Sequence, residues 1–173
     1  MTPAFSKKDD EDWVDCVPRW LRAMVAATDR SPEEVAEDES AGWPRGFDSM
    51  IFGGVKDIQA EKGRVVCTVP VTKLMLNRYG TLHGGCIATM VDVFTTAALW
   101  TVGGPPGGVS VDLSIAYMAS ARAQEDVEIE ARVLKVGRSL AVASATVRRK
   151  KDGLLLAEGR HTKFVASSPS SKL

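Results

Sequence analysis

The stretch that decides the fold runs from Asn77 to Trp100 and reads NRYGTLHGGCIATMVDVFTTAALW. Its first part is an irregular, glycine-marked segment, and from Gly85 onward apolar residues cover most of the circumference of one long helix. A helix that is apolar nearly all round is buried on several sides. The segment therefore predicts a loop that leads into a central helix.

Six strand-like segments flank this helix, two before it and four after it. Each is rich in residues that prefer strands, and glycine, proline or charged turn residues separate one from the next. In order they are Ile51–Gln59, Arg64–Val71, Val109–Met118, Asp126–Lys135, Leu140–Arg149 and Leu154–Val165. Short connections suit antiparallel pairing. The pattern predicts an α+β domain in which a curved antiparallel β-sheet wraps one long central helix.

The N-terminal part predicts a helical extension ahead of that domain. Apolar residues recur at three- and four-residue steps from Trp13 to Val25, and Pro18 fits such a helix only near its first turn. The sequence Ser31-Pro32-Glu33-Glu34 is the capping box of a second short helix. The chain thus divides into an extension over residues 1–45, a domain over 46–166 and a flexible tail over 167–173.

Composition excludes several classes of protein. The chain holds 22 basic and 22 acidic residues, which argues against a surface that grips nucleic acid. Three widely spaced cysteines form neither a disulfide framework nor a zinc knuckle, and two histidines are too few for a histidine-rich catalytic metal site. No apolar run reaches the ~20 residues of a membrane span. The sequence predicts a soluble, unsecreted chain without a bound metal.

The zero net charge conceals a split along the chain. Residues 1–42 carry 11 acidic and 5 basic residues, a net charge of −6, so the remainder is +6. The segment after Ser120 alone holds 11 basic and 6 acidic residues. This split fits a basic body that binds a small anionic ligand, and it fits equally well charged faces that are merely solvated.

The chemistry-bearing residues begin at the start of the central helix. Gly84 and Gly85 stand where the loop becomes the helix, and the unpaired N–H groups of a helix start favour developing negative charge. This arrangement suits an oxyanion hole, although a tight turn would use the same glycines. Asp92 lies within the apolar helix with no cation three or four positions away. It is a candidate base, and the alternative is an acid held by neighbouring hydroxyls.

A distance argument constrains the assembly. Gly84 and Asp92 are separated by eight residues of one helix, or ~12 Å along its axis. An oxyanion donor and a base that act on one carbonyl must both lie close to it, so these two groups cannot serve one substrate from a single chain. If both are catalytic, two subunits related by a two-fold axis must each supply one of them to every site.

The strand after the helix supplies a candidate hydroxyl, Ser110. Strict alternation would place Ser110, Asp112, Ser114 and Ala116 on one face of this strand, and Val109, Val111, Leu113, Ile115 and Tyr117 on the other. A hydroxyl near the base could orient a water molecule. No serine lies in a GxSxG sequence, so the nucleophile-elbow type of hydrolase has little support.

These blocks together resemble the hotdog-fold acyl-CoA thioesterases of the phenylacetic-acid-degradation type. The resemblance covers Asn77 to Val165 and is carried by GTLHGG at 80–85, Val91-Asp92, VSVD at 109–112, Tyr117-Met118, Val133-Leu134-Lys135 and GRHTK at 159–163. It implies a hotdog fold and the hydrolysis of acyl-CoA to a free carboxylic acid and CoA. It implies no cofactor, because CoA is part of the substrate and product.

The resemblance also implies roles for single residues. Gly84 and Asn77 would polarise the thioester carbonyl, and His83 would hold the loop. Asp92 of the partner subunit would act as general base or nucleophile, with Ser110 assisting. CoA would lie against Tyr117, Arg122, Lys135, Gly137, Arg138, Ser139, Arg160 and Phe164. Members of the family form dimers that pair into tetramers, so we expect a homodimer as the catalytic unit within a dimer of dimers.

Two other functions remain open on the same fold. A hotdog-fold enoyl-CoA hydratase would require an Asp/His pair on the central helix, and this helix has no histidine. A protein that binds acyl-CoA without hydrolysing it is the second alternative. Cys86, directly after the glycines, is expected to be a small buried residue and not a nucleophile.

The C-terminus carries a candidate targeting signal. The chain ends Ser171-Lys172-Leu173 after a Ser/Pro-rich stretch, which is the form in which a peroxisomal import receptor reads its cargo. The sequence therefore predicts a peroxisomal location.

Overall fold

The computed structural model describes residues 12–26, 47–48, 54–103 and 108–165. The elements are α1 (Trp13–Ala26), β1 (Lys56–Glu61), β2 (Arg64–Pro70), a 3-10 turn (Lys73–Met75), α2 (Gly84–Trp100), β3 (Val109–Tyr117), β4 (Asp126–Val136), β5 (Leu140–Arg149) and β6 (Leu155–Phe164). The expected helix over 31–34 lies outside the described residues. The first strand begins at Lys56, after Gly54, which turns the chain with a φ of 87°. Residues 51–53, where the expected strand starts, lie outside the described residues.

The six strands form one antiparallel sheet in the order β1-β2-β4-β5-β6-β3. Strands β4, β5 and β6 follow one another as a meander. Strand β3 lies at the edge, beside β6 and not beside its neighbour in sequence, β4. Helix α2 contacts every strand from β2 to β6. The antiparallel sheet around one long helix, expected from the sequence, is confirmed.

The core lies between α2 and the face of the sheet that it covers. Phe94 and Val91 of the helix are completely buried, as is Ile129 of β4, and all three belong to one apolar cluster. Gly159 on β6 gives the helix the room for this approach, because a Cβ there would lie 2.8 Å from Val91 Cγ1. The helix therefore packs directly on the middle of the sheet.

Helix α1 packs against the C-terminal end of α2. Trp20 meets Trp100 edge to face with ring centroids 4.6 Å apart, and Val17 and Leu21 are completely buried. Pro18 lies in the second turn of α1, one turn later than expected. The first helix of the extension is thus part of the folded body. No helix among the described residues is long and apolar enough to cross a membrane.

A β-bulge interrupts β3 at Val111. Ser110 pairs with Lys163 and Asp112 pairs with the preceding residue of β6, Thr162, so Val111 is the extra residue. Side chains alternate along a strand, and one extra residue exchanges the faces beyond it. The expectation that Ser110 and Asp112 share a face is therefore wrong. Ser110 faces the helix together with Leu113, Ile115 and Tyr117, and Asp112 faces away from it with Ser114 and Ala116.

Candidate active site

Asn77 organises the loop ahead of α2. Its Oδ1 accepts from the N–H of Tyr79 at 2.9 Å and from the N–H of Thr81 at 3.2 Å, while its Nδ2 donates to Thr81 Oγ1 at 2.9 Å. Asparagine favours such turns because its side chain can hydrogen-bond the backbone two residues on. The amide carries two hydrogens and the Thr81 bond uses one. Asn77 therefore holds its own loop and keeps one hydrogen for a ligand.

The first turn of α2 leaves one N–H group open. His83 is the N-cap of the helix, and its Nδ1 accepts from the Gly85 N–H at 2.8 Å. The N–H groups of Cys86 and Ile87 both donate to the His83 carbonyl. Among the described residues no hydrogen bond engages the N–H of Gly84. That group is the donor that this helix start can offer to an oxyanion.

The His83 ring leaves no room for a side chain at Gly85, whereas the Tyr117 ring lies at ordinary contact distance from Gly84. A Cβ at Gly85 would lie 2.9 Å from His83 Nδ1, and a Cβ at Gly84 would lie 3.4 Å from Tyr117 Cε1. Neither glycine has a positive φ, so a tight turn is not what requires them. The Tyr117 hydroxyl also donates to the Gly84 carbonyl at 3.1 Å. Strand β3 thus touches the start of α2 at this residue.

Asp92 belongs to a polar cluster that α2 forms with β3 and β6. Ser110 Oγ lies 3.5 Å and His161 Nε2 lies 3.6 Å from Asp92 Oδ1. Ser110 Oγ and His161 Nε2 are themselves 2.8 Å apart. Within one chain 44% of the Asp92 side chain is exposed, whereas the His161 side chain is completely buried. The structure brings Asp92 and Ser110 together and adds a histidine to which the sequence analysis gave no role.

The hydrogen bonds of His161 fix its tautomer. Its Nδ1 lies 2.6 Å from Thr95 Oγ1, and the Thr95 hydroxyl donates to the Val91 carbonyl at 2.6 Å. That donation uses the hydroxyl hydrogen, so the Thr95 oxygen accepts from Nδ1–H. Burial lowers the pKa of His161, against the opposing charge of Asp92. The neutral ring then carries its lone pair on Nε2, which accepts the hydroxyl hydrogen of Ser110.

A lysine is buried beside the same cluster. Lys163 Nζ donates to Thr96 Oγ1 at 2.9 Å, and the Thr96 hydroxyl donates to the backbone carbonyl of Asp92 at 2.8 Å. Burial lowers the pKa of Lys163, and the nearby charge of Asp92 opposes that effect. The ammonium group therefore lies one hydroxyl away from the turn of α2 that carries Asp92.

His161, Lys163 and a third residue, Asp48, were missed by the sequence analysis. His161 and Lys163 lie on the face of β6 that is directed to α2, together with Ala157 and Gly159. Polar residues at the buried positions of a strand are the signal that could have revealed them. Partial burial and the charge of Asp92 both raise the pKa of Asp48, so a second carboxylate lies near the cluster. Nothing in the sequence around it marks it.

Cys86 lies outside this chemistry, as expected. Its thiol is directed to the Met75 carbonyl, with the sulfur 3.6 Å from that oxygen, and burial raises its pKa. A protonated, buried thiol is a poor nucleophile. In the described part of the chain no group of three His, Cys, Asp or Glu side chains could hold a metal ion.

The residues expected to bind CoA fall into two groups at opposite ends of β3. Tyr117 lies at the end that touches Gly84. Arg122 belongs to the same end, because its backbone bridges to Thr81 in the loop before α2. The first and last residues of β3, Val109 and Tyr117, are about 25 Å apart at the usual rise of an extended strand. One chain therefore does not bring the two groups together.

The second group lies at the Ser110 end of β3. Phe164 pairs with Val109 on one side and with Leu140 on the other. The Val165 N–H donates to the Ser139 carbonyl at 2.9 Å, which holds the β4–β5 turn beside Phe164. The turn contains Gly137, Arg138 and Ser139, and Lys135 lies near it on the face of the sheet that points away from α2. Arg160 lies on the same outer face but belongs to neither group, because it pairs with Ser114 near the middle of β3.

Comparison with known proteins places the chain in a family. The family model of the thioesterase superfamily matches residues 79–156. Human acyl-coenzyme A thioesterase 13 is 44% identical over 118 residues, which are 68% of this chain and 84% of the human protein.

Solved structures agree with this match. Zebra fish thioesterase superfamily member 2 superposes with a TM-score of 0.71 at 39% identity, over 88% of this chain and 98% of its own. The aligned region is longer than residues 46–173, so it includes part of the N-terminal extension. A hypothetical thioesterase of Streptococcus pneumoniae, solved with coenzyme A, has a TM-score of 0.64 at 26% identity, over 72% of this chain and 95% of its own. By sequence and fold, the chain belongs to the thioesterase superfamily.

Proposed function

We propose that the protein hydrolyses the thioester of acyl-CoA to a free carboxylic acid and CoA. One observation carries the assignment: a single helix presents an open N–H at Gly84 and, eight residues on, a carboxylate clustered with Ser110 and His161. Membership of the thioesterase superfamily supports it. So do a human relative named as an acyl-coenzyme A thioesterase and a neighbour solved with coenzyme A.

Two donors act on the carbonyl oxygen. The Gly84 N–H and the free Nδ2 hydrogen of Asn77 hydrogen-bond to this oxygen as it gains negative charge. His83 acts indirectly, because its ring caps the Gly85 N–H and so holds the helix start. A helix N-terminus adds its favourable dipole to the same oxygen.

The attacking water lies between Asp92 and Ser110 of the other subunit. Ser110 donates its hydrogen to His161, so its oxygen accepts a hydrogen from the water. Asp92 takes the second hydrogen as the water oxygen bonds to the carbonyl carbon. The carbon–sulfur bond then breaks, and the proton on Asp92 passes to the leaving thiolate of CoA. Direct attack by Asp92 would give an anhydride that water opens, and it needs the same carboxylate.

The catalytic unit is a homodimer, and pairs of dimers form the tetramer expected of the family. Within the described part of the chain no strand pairs with the outer edge of β3, and its residues Val109 and Val111 are 66% and 55% exposed. An exposed apolar edge strand is a template for pairing with a second copy. Antiparallel pairing across a two-fold axis would bring the Gly84 end of one chain to the Asp92 end of the other. It would also unite the two groups of CoA-binding candidates.

Mixing two inactive variants tests the shared site. Asn77→Ala removes a donor to the carbonyl oxygen, and Asp92→Asn removes the base. A homodimer of either variant therefore has two defective sites. In a mixed dimer one site is intact and the other carries both defects. Random mixing makes about half of the dimers heterodimers, and each heterodimer has one intact site out of two. About a quarter of the wild-type activity should therefore return. Activity that stays at the level of the parents would place both groups in one chain and overturn the arrangement.

CoA release from a panel of acyl-CoA and aryl-CoA substrates tests the reaction itself. Absence of turnover by the wild type would overturn the proposal, and tight binding without turnover would favour the acyl-CoA-binding alternative. The hydratase alternative needs a histidine at the substrate. The histidine nearest Asp92, His161, is completely buried, so it offers no surface to a substrate.

We propose a peroxisomal location from Ser171-Lys172-Leu173. A fluorescent protein fused to the N-terminus of the chain should give punctate fluorescence that coincides with a peroxisomal marker. Deletion of the three residues should disperse it. Persistent punctate fluorescence after the deletion would refute the role of the tripeptide.

A further inference from the structure

The hydroxyl of Tyr117 and the ring of His83 form hydrogen bonds to opposite ends of the peptide unit between Gly84 and Gly85. These two bonds together are called the clamp. The Tyr117 hydroxyl donates to the Gly84 carbonyl at 3.1 Å. The Gly85 N–H, at the other end of the same peptide unit, donates to His83 Nδ1 at 2.8 Å. A peptide unit is planar and rigid, so two hydrogen bonds at its two ends fix its orientation.

This clamp determines where the open N–H of Gly84 points. The Gly84 N–H belongs to the preceding peptide unit, which is joined to the clamped one through the Cα of Gly84. Glycine has more freedom at that Cα than any other residue. On its other side the preceding unit is held by its carbonyl, that of His83, which accepts from Cys86 and Ile87. Gly84 is the first residue of α2, and the Tyr117 bond restricts its backbone further.

We infer that Tyr117 is a positioning residue of the oxyanion hole. The inference rests on the proposed thioesterase function and deepens it. Two observations carry it, the hydroxyl bond to the Gly84 carbonyl and the His83 bond to the Gly85 N–H at the other end of the same peptide unit. Tyr117 thus holds the Gly84 carbonyl in place.

A role in core packing alone does not account for this contact. About half of the Tyr117 side chain, 53%, is exposed, so its ring adds little to the buried core. The hydroxyl is directed at the start of α2. The Tyr117 hydroxyl therefore makes its bond at the place where the proposed reaction needs geometric accuracy.

Steady-state kinetics of Tyr117→Phe test the inference, because this change keeps the ring and removes only the hydroxyl. Loss of one neutral hydrogen bond that orients a transition-state donor should lower kcat about tenfold. KM for acyl-CoA should change less than about twofold, because the ground state gains little from that donor. A rise in KM with unchanged kcat would assign Tyr117 to CoA binding and overturn the inference, as would no change in either constant.

Tyr79→Phe is the matched control. Tyr79 is an exposed tyrosine in the neighbouring loop, and its hydroxyl accepts from Arg78 Nη2 at 2.7 Å. Removal of this hydroxyl should leave both constants at the wild-type values. An equal loss in the two variants would mean that any hydroxyl near the loop suffices, which contradicts a specific role for Tyr117.

A measurement without substrate separates this inference from the proposed function. Amide hydrogen exchange at Gly85 should be faster in Tyr117→Phe than in the wild type, because the clamped peptide unit loosens. Exchange within β4 and β5 should not change. Unchanged exchange at Gly85 would overturn the clamp even if the wild type is an active thioesterase. Faster exchange would support the clamp even if the wild type releases no CoA.

Discussion

Ser110 Oγ lies 2.8 Å from the Nε2 atom of His161, and this contact exists because the bulge at Val111 turns Ser110 toward the helix. With regular pairing from Leu113 backward, Ser110 would lie opposite Phe164 and point away from α2. One additional residue in an edge strand therefore brings the hydroxyl into the cluster with Asp92. Bulges occur often beside active sites, where they re-aim a side chain.

Ser110→Ala should lower kcat by about 10- to 100-fold, because the water next to Asp92 loses the acceptor that orients it. Asp112→Asn is the matched control, since Asp112 lies on the opposite face of the same strand. We expect it to leave kcat unchanged in the same CoA-release assay. Equal losses in the two variants would show that the faces of β3 are assigned wrongly.

His161→Gln should lower kcat by acting through Ser110, so the two changes should not be additive. The double variant with Ser110→Ala should be no slower than Ser110→Ala alone, because His161 then has no hydroxyl left to orient. Independent roles would instead multiply the two losses. Thermal unfolding of each variant, followed in parallel, shows whether the lost bond to Thr95 also affects stability.

His161 also predicts a loss of stability in acid. Burial lowers its pKa below the ordinary value of 6.5 in the folded chain, Lys163 acts in the same direction, and Asp92 and Asp112 oppose them. Below about pH 6.5 the unfolded chain therefore binds a proton that the folded chain does not. The free energy of unfolding should fall as the pH falls, by at most ~1.4 kcal/mol per pH unit from this one group.

Urea denaturation at pH 7.5 and 5.5 measures this change in the free energy of unfolding. The wild type should lose more stability between these two values than His161→Gln, which has no proton to take up. The same loss in both proteins would mean that His161 does not carry the effect.

Gly159→Ala should destabilise the fold by about 1–3 kcal/mol, as overpacking of a core usually does. The added methyl would lie 2.8 Å from Val91 Cγ1 and 3.3 Å from Ile115 Cγ1. The cost should shrink in a Val91→Ala background, where the space is open. Denaturation of the four proteins of this double-mutant cycle measures the coupling, and a cost of the same size in both backgrounds would refute the contact.

The sequence predicted the parts of the site that lie close together in the chain. Gly84 and Asp92 lie on one helix, so its start and its apolar pattern singled them out, whereas Asn77 and His83, in the loop before it, received their roles from the family resemblance. The strands were also found from local patterns. Their limits were less accurate at β1, which begins at Lys56, after the turn at Gly54.

The remaining parts of the site depend on pairing between distant segments. Nothing local says that β3 lies beside β6, and the bulge at Val111 is visible only in the register of those two strands. The same pairing brings His161 and Lys163 under the helix. Alternation counted along β3 alone therefore placed Ser110 with Asp112, on the wrong face.

The cap at the start of α2 has a consequence for what the helix can bind. Glycine-rich helix starts in nucleotide-binding proteins hold a phosphate with several N–H groups at once. Here His83 already occupies the N–H groups of Gly85, Cys86 and Ile87. The single group that is left can satisfy one oxygen atom and not the three of a terminal phosphate. The number of open N–H groups therefore suits the helix start to a single carbonyl oxygen, and a polyphosphate would need side chains elsewhere to neutralise it.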